Sequence, residues 1–483
     1  AKTPTKTKQP AVETKQLAVE TKAEAPPLEI KLKVHAHSTL SESEKAALLL
    51  RPILNLSEIS SRVTPIVESV RTSGDAALIA LTSKFDNVTL TKTILKAPFA
   101  PSAMSISPAV KSAIDTAFAN IHKFHAAQLS TSTLQVETMP GVVCSRFSRP
   151  IDRVGLYIPG GTAILPSTTL MLGVPALVAG CPEIVIASPP RADGTAVPEV
   201  VYVADKIGAS TIVLAGGAQA VAAMAFGTES VPKVDKIVGP GNQYVTAAKM
   251  ALQNDTKAMI SIDMPAGPSE LLVIADNDSN PAYVVSDLLS QAEHGTDSQV
   301  ILVAIAPTAQ FLSAIAHELH AQGEALPRRD IVRVSISKSY TLTVATVAEA
   351  LDFSNSYAPE HLILHVANPS SLLPRIRNAG SVFVGPWSPE SCGDYASGTN
   401  HTLPTYGYAR MYSGVNTDTF VKWITSQEVT REGLNGGGEG RGGLGDVVMT
   451  LAEVEGLEAH RNAVAIRLKD IRGSEKAVEV GVE

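Results

Sequence analysis

The chain has few cysteines, few aromatic residues and no long apolar run. Its three cysteines, Cys144, Cys181 and Cys392, lie far apart and are odd in number, which argues against a disulfide framework and indicates a reducing, cytoplasmic location. Aromatic residues make up only 5% of the chain, and this favours close-packed α/β layers over a β-sandwich. No apolar run reaches the roughly 18 residues that a membrane span needs, so we expect no membrane partner.

The chain also lacks an excess of basic residues. Its net charge is -7, which argues against nucleic acid as a partner. A hydrophobic fraction of 45% and a charged fraction of 18% are typical of a globular protein. Residues 1–27 differ, because they are rich in Lys, Thr, Glu and Pro and repeat AVETK. They predict a disordered linker, and the missing initiator Met indicates a piece of a longer polypeptide.

The spacing of apolar residues predicts an α/β fold. Helices are expected from Ser41, from about Ser57 with a kink at Pro65 and an end at Gly74, and after the Ser107-Pro108 cap. Short apolar strands then alternate with helices in two successive sets. This rhythm predicts two Rossmann-like domains with mostly parallel sheets, followed by a small helical C-terminal domain.

We expect five divisions of the chain. They are a disordered linker (1–27), an N-terminal helical arm (28–55), a discontinuous first α/β domain (56–156 and 270–410), a second α/β domain (157–269) and a helical tail (411–483). Within this framework, loops rich in glycine and polar residues at strand ends are the expected ligand sites.

Two short segments carry candidate chemistry. Gln291 and His294 are three apart on a predicted helix and share a face, so both could reach one cation. Glu360 and His361 can both exchange protons near neutral pH. Each segment also has a plain structural interpretation: a polar helix face for the first, and a helix start with Pro359 at its first position for the second.

A long polar loop follows at residues 391–401, where Asp394 and His401 are candidate ligands; an ordinary turn is the alternative. Glu455 and His460 are five apart, do not share a helix face, and by themselves predict surface residues. The glycine-rich loops at 216–219 and 239–242 each follow a strand and open a helix, as anion sites do, although tight turns would also explain them.

A literal G-x-G-x-x-G occurs at residues 438–443 in a glycine-rich loop. No apolar strand precedes it, and the dinucleotide fingerprint requires a strand, a turn and a helix. We therefore reject this match, so any dinucleotide must bind elsewhere.

Taken together, these segments resemble the histidinol dehydrogenases over residues 59–468. The matching motifs occur in one order: VGLYIPGGTA, GGAQA, AFGTESVPKVDKIVGPGN, DMPAGPSE, DLLSQAEHGTDSQV, PEHLI, WSPESCGDYASGTNHTLPTYGYAR and AHRNAV. The resemblance implies zinc-dependent oxidation of L-histidinol through L-histidinal to L-histidine with two NAD, the last step of histidine biosynthesis.

The resemblance also implies a role for each motif residue. His361 is the general base, Glu360 activates water, and zinc mainly orients the substrate. The implied zinc ligands are Gln291, His294, Asp394 and His460. These four and Glu360 also face the substrate, together with Ser269, His401 and Glu455. The implied NAD contacts, in the second α/β domain, are Tyr157, Gln219 and Asn242.

The resemblance further implies a homodimer in which the tail domains are exchanged, so that Glu455 and His460 complete the partner's site. In fungi this activity is often the C-terminal part of a multifunctional chain, which leads us to expect fusion to upstream histidine-pathway domains. Three alternatives stay open: a zinc hydrolase with Glu360 as water activator, a noncatalytic metal-dependent binding module, and a covalent cysteine adduct in the dehydrogenase. Manganese or cobalt could occupy the same ligand set.

Overall fold

The computed structural model of the chain describes residues 29–51, 56–160, 165–436 and 442–480. The expected linker at 1–27 lies outside this range, as do residues 438–441 of the rejected glycine motif. Among the helices within the described range, none combines the length and apolar character needed to cross a lipid bilayer.

The described residues form strands that belong to three sheets. In chain order they are β1 (Lys33–Ala36), β2 (Ile94–Lys96), β3 (Leu134–Met139), β4 (Val142–Pro150), β5 (Arg153–Tyr157), β6 (Glu183–Ser188), β7 (Thr211–Leu214), β8 (Lys236–Val238), β9 (Ser261–Ile262), β10 (Glu270–Ala275), β11 (Gln299–Ile305), β12 (Tyr340–Val344), β13 (His361–His365), β14 (Ser381–Val384) and β15 (Val421–Val429).

The helices connect and cover these strands. In chain order they are α1 (Glu42–Leu48), α2 (Leu56–Asp86), α3 (Pro108–Ala126), α4 (Pro166–Ala179), α5 (Pro198–Lys206), α6 (Gly217–Phe226), α7 (Gln243–Gln253), α8 (Pro281–Ala292), α9 (Ala309–Ala325), α10 (Arg329–Ser337), α11 (Val347–Tyr357), α12 (Glu390–Tyr395), α13 (Arg431–Asn435), α14 (Leu444–Val454) and α15 (Glu458–Val480).

The first sheet has the strand order β1-β12-β11-β10-β13-β14, and every neighbouring pair in it is parallel. Its central strands, β10 and β11, are buried along their whole length. Such strands read as continuous apolar runs because helices cover both faces of a parallel sheet. Val273 and Leu302 face one apolar cluster and Leu272 and Ile301 the other, as alternation along a strand requires.

The second sheet has the order β2-β7-β6-β5-β8-β9 and is parallel except for β2, which pairs antiparallel with β7. Strands β15, β4 and β3 form a small antiparallel sheet that attaches the tail to the rest of the chain. Helices α13, α14 and α15 then pack on one another. The fold is therefore α/β with mostly parallel sheets and a helical C-terminal domain, as the sequence predicts.

The structure differs from two of the expected divisions of the chain. The arm at 28–55 is not only helical, because β1 joins the first sheet beside β12. Residues 56–156 belong with the second sheet rather than with 270–410, since α2 packs on α6 and α7, α3 packs on α4, and β2 and β5 are strands of that sheet. The alternation of strands and helices predicts such elements but does not say which sheet each one covers.

Local signals in the sequence predict where several helices begin and end. Ser41 caps α1 in a capping box with Glu44, and Ser107 caps α3 ahead of Pro108, both as expected. The expected end at Gly74 is confirmed, because the main chain there is non-helical, at a φ of 50°, and a second helical segment follows the kink as far as Asp86. The main-chain N–H of Asp75 donates to Glu229 immediately after the kink.

Candidate active site

One cleft of about 320 Å³ collects most of the residues that the motifs single out. Both α/β units contribute to its lining. The sequence-predicted residues among those that line it are Asn242, Ser269, Gln291, His294, Glu360, His361, Asp394 and His401. Residues separated by more than 150 positions in the sequence are therefore brought together at one site.

The cleft meets the two parallel sheets at opposite ends of their strands. On the second sheet, the loop 240–243 follows the carboxyl end of β8, where ligand loops are expected. On the first sheet, Ser269 precedes β10, and Glu360 and His361 stand at the start of β13. The helix-start interpretation of this segment is wrong, because α11 ends at Tyr357, Ala358 is left-handed and a strand follows.

The main chain of Glu270 holds the candidate acid–base pair. Its N–H donates to Glu360 Oε2 at 2.8 Å, and its carbonyl lies 3.2 Å from His361 Nδ1. A carbonyl oxygen only accepts hydrogen bonds, so Nδ1 must carry a proton. In the neutral ring Nε2 is then the basic nitrogen. Glu360 and His361 are both buried.

His361 Nε2 is buried and has no hydrogen-bond partner among the described residues. It lies 3.5 Å from Asp394 Oδ1. Burial by itself lowers the pKa of His361, but the carboxylates of Glu360, Asp394 and Glu390 outweigh it and raise the pKa well above its usual value. Burial would raise the pKa of Asp394, yet the adjacent His361 ring and the nearby His401 and His294 rings lower it.

The candidate metal donors converge only in part. Gln291 Nε2 donates to His294 Nδ1 at 2.8 Å, and Gln291 Oε1 is buried with no partner in the described chain. The His294 ring lies near Asp394 and lowers the pKa of that carboxyl group. No group of three or more His, Cys, Asp or Glu residues placed to hold a metal occurs in the described ranges. Gln291, His294 and Asp394 lie together in the cleft lining and offer nitrogen and oxygen donors.

His401 is fixed as a neutral ring in the cleft wall. Its Nδ1 donates to the Asp394 carbonyl at 2.9 Å, and its Nε2 lies 3.0 Å from the Thr168 hydroxyl. Burial is the main cause of its lowered pKa. A neutral His401 leaves the Thr168 hydroxyl as donor to Nε2, so the two side chains hold each other in place.

The three residues expected to contact NAD do not lie together. Asn242 is exposed in the cleft wall, where its side chain caps α7 by accepting from the N–H groups of Tyr244 and Val245. Tyr157 and Gln219 are buried and do not line the cleft. The Tyr157 hydroxyl accepts from the Gly217 N–H at 3.0 Å, so it supports the glycine loop from beneath.

Glu455 and His460 do not reach the cleft in a single chain. Glu455 ends α14, His460 lies in the first turns of α15, and both are exposed. Three large apolar residues of α14, Val447, Leu451 and Val454, are also exposed along one stripe. The tail thus presents two predicted site residues and an uncovered apolar face.

Three charged groups around the site are not among the residues predicted from the sequence. Glu390 is buried, accepts from the Ser290 hydroxyl at 2.7 Å, and has its pKa raised to about 8 by burial. Arg51 and Glu270 form a buried ion pair behind Glu360. A charged residue opening a fully apolar strand, as Glu270 does in ELLVIA, is a signal that could have identified it.

Cysteine chemistry has no support in the cleft. None of its lining residues within the described chain is a cysteine. Cys181 is buried, and burial raises its pKa to about 12, so it is no thiolate near neutral pH. The cleft instead combines a buried imidazole, buried carboxyl groups and candidate cation ligands. This combination is typical of an α/β enzyme that catalyses proton transfer.

Comparison with known proteins identifies the family. The family model described as histidinol dehydrogenase matches residues 49–468. The histidinol dehydrogenase of Schizosaccharomyces pombe is 56% identical over 442 residues, which cover 92% of this chain and 99% of that protein. The chain belongs to the histidinol dehydrogenase family, and this confirms the resemblance inferred from its motifs.

Two further relatives extend this result. The crystal structure of histidinol dehydrogenase from Elizabethkingia anophelis has a TM-score of 0.85 and 45% identity, covering 91% of this chain and 99% of that one. The histidine biosynthesis trifunctional protein of Komagataella pastoris is 63% identical, over 90% of this chain but only 50% of its own length. The chain thus spans about half the length of such trifunctional relatives.

Proposed function

We propose that this chain oxidises L-histidinol through L-histidinal to L-histidine with two NAD. The observation that carries the proposal is the convergence of the buried Glu360–His361 pair with Gln291, His294 and Asp394 in one cleft. Membership of the histidinol dehydrogenase family supports the same reaction.

His361 is suited to the proton transfers of both oxidations. Its Nδ1 proton is held by the Glu270 carbonyl, which leaves Nε2 directed at the substrate space beside Asp394. Nε2 takes the proton of the alcohol hydroxyl while hydride leaves the carbon that carries this hydroxyl. It takes a proton again when the hydrated aldehyde is oxidised. The carboxylates around the ring stabilise the imidazolium that each transfer forms.

Glu360 is suited to the hydration between the two oxidations. The aldehyde has to gain an oxygen atom before it can become an acid, and water is the source. One oxygen of Glu360 accepts from the Glu270 N–H, which fixes the carboxylate while its other oxygen can accept a proton from water. Glu360 and His361 both line the cleft, so the activated water and the basic nitrogen can act on the same substrate.

Zinc and NAD supply what these side chains cannot. When bound, zinc provides an orienting positive charge and NAD provides the hydride acceptor. The unpartnered buried Gln291 Oε1 and its neighbours His294 and Asp394 fit a zinc ion, which prefers such nitrogen and oxygen donors with open positions. A dication there would also offset the charge of Asp394 and so favour the neutral, basic form of His361. Asn242 is the predicted cofactor contact that the cleft exposes.

The direct test is one assay of the purified protein with histidinol and NAD. We expect two reduced cofactors per histidinol consumed, loss of turnover after chelation, and recovery when zinc is added back. An unchanged rate after exhaustive chelation would refute the metal assignment. No cofactor reduction at all would refute the dehydrogenase and leave the zinc hydrolase or the binding module.

We also propose that the active form is a homodimer with exchanged tails. Two observations support it: Glu455 and His460 are exposed and do not line the cleft, and α14 has an exposed apolar stripe. A second copy would cover the stripe and bring His460 of the partner subunit to Gln291, His294 and Asp394. Closed twofold dimers are the commonest solution for such a self-complementary surface.

Mixing two inactive variants tests this exchange. A dimer of one H361N subunit and one H460A subunit keeps one intact site only if His460 serves the other subunit. Random pairing of twofold dimers should then restore about a quarter of the wild-type turnover. Each variant alone provides the control and should be inactive. If the mixed sample stays as inactive as its parents, His460 acts within its own chain or not at all.

The trifunctional relatives lead us to propose that this chain also functions as part of a longer polypeptide. The full-length relative from Schizosaccharomyces pombe shows that a protein of this length also occurs alone in the family. The mass of the native polypeptide decides between the two arrangements.

A further inference from the structure

A buried arginine from the N-terminal arm lies behind the acid–base pair. The Arg51 side chain is 6% exposed. Its Nε and Nη2 donate to the two oxygens of Glu270, each at 3.0 Å, and Nη2 also donates to the Tyr357 carbonyl at 2.6 Å. The guanidinium stacks on the Tyr357 ring, 3.5 Å from its centroid. Such a two-point pair fixes the orientation as well as the position of the carboxylate.

Glu270 transmits this constraint to both reacting residues. Its main-chain N–H and carbonyl hold Glu360 and His361 respectively, and its side chain accepts from the Tyr406 N–H at 2.8 Å. The carboxylate of Glu270 is thus bound on one side by Arg51 and on the other by the 406 peptide. These bonds to the side chain restrict movement of the Glu270 main chain. They therefore also help to fix the N–H and the carbonyl that orient Glu360 and His361.

The charges around Glu270 make Arg51 hard to replace. Burial raises the pKa of Glu270, Arg51 opposes that rise, and Glu360 adds to it. Without a cation, two carboxylates would share a buried environment, and one would take up a proton or turn away. Either change would move the Glu270 peptide on which the tautomer of His361 depends.

We propose that Arg51 and Glu270 are positioning residues that set the orientation of Glu360 and the Nδ1-protonated tautomer of His361. This proposal rests on the proposed function of those two residues. It assigns the N-terminal arm a part in catalysis, although neither Arg51 nor Glu270 lines the cleft. Second-layer bonds of this kind commonly control how well a reacting group is aimed.

The test is Arg51→Lys, which keeps the charge but loses the two-point geometry. We expect kcat for histidinol to fall by about 10- to 100-fold with KM nearly unchanged, because misaimed reacting groups slow chemistry more than binding. Arg153→Lys is the matched control, since Arg153 also holds a carboxylate, Asp235, through Nε and Nη2, away from the cleft. It should stay within about twofold of wild type.

Combining the variant with H361N and E360Q together separates positioning from general destabilisation. If Arg51 acts through Glu360 and His361, Arg51→Lys should change the residual rate of that double variant by no more than about twofold. If Arg51→Lys lowers the residual rate there as much as it lowers the wild-type rate, the proposal is overturned. It is also overturned if the lower rate is accounted for by unfolded protein.

Labelling histidine with ¹⁵N gives a readout that needs no turnover. In the zinc-loaded protein, the Nδ1-protonated signal of His361, assigned by its absence in H361N, should be distinct in the wild type and redistributed in Arg51→Lys. An unchanged tautomer in that variant refutes the positioning role even if histidinol proves not to be the substrate. A changed tautomer with no histidinol oxidation by the wild type refutes only the proposed function.

Discussion

Replacing His361 with asparagine is expected to lower histidinol turnover by about 10²- to 10⁴-fold, the range that a positioned general base contributes. Asparagine can still donate to the Glu270 carbonyl, which now accepts from His361 Nδ1, so the local main chain should be preserved. What it lacks is the second nitrogen, Nε2, which lies 3.5 Å from Asp394. The steady-state rate of cofactor reduction measures the loss directly.

Zinc content and substrate affinity are the controls for this variant. Both should be close to wild type, because His361 is not among the proposed ligands. His122→Asn, an exposed position on α3, should leave the rate unchanged. Turnover within a few-fold of wild type in H361N would show that the proton leaves by another route. Loss of bound zinc would instead indicate a structural role.

Replacing Glu360 with glutamine is expected to separate the two oxidations. Glutamine can accept from the Glu270 N–H as Glu360 does, but it cannot take a proton from water. We expect a first reduced cofactor at a rate within about tenfold of wild type, and a second slowed by about 10²- to 10⁴-fold. Rapid mixing with excess NAD should therefore show one fast equivalent per site, followed by a slow phase.

Supplying histidinal directly sharpens this experiment. The E360Q protein should oxidise the aldehyde slowly, and a carbonyl trap should capture aldehyde after the first step. H361N provides the matched comparison, because it should slow both oxidations. Equal slowing of both steps in E360Q would contradict a role confined to hydration and would place Glu360 in the same proton path as His361.

Much of the fold follows from local sequence. Runs such as ELLVIA and QVILVAI are too uniformly apolar for a sheet with one solvent-exposed face, and they form the two central buried strands. The caps at Ser41 and Ser107 depend on side chains next to the helix they start. Which strand pairs with which is not determined by the residues next to it in the sequence. Residues 56–156 were therefore assigned to the wrong sheet.

The site divides in the same way. Gln291 and His294 are three residues apart and Glu360 and His361 are adjacent, so the sequence already predicts that each pair acts together. The predicted helix ends at Ala292 in the structure, yet the turn that follows still brings the two side chains into contact. Arg51 and Glu270 are 219 residues apart and meet only because β10 and the end of the N-terminal arm lie side by side. No local pattern around either residue indicates the other.

The sequence by itself determined the family, the succession of strands and helices, and the types of side chain available for chemistry. These properties depend on residue order and short-range periodicity, which the chain displays directly. Only the tertiary structure decided that the Glu360–His361 pair stands at the amino end of its strand, that the Glu270 carbonyl accepts from His361 Nδ1, and that Tyr157 and Gln219 are buried outside the cleft. Those arrangements arise from hydrogen bonds and burial between segments far apart in the chain, which folding brings into contact.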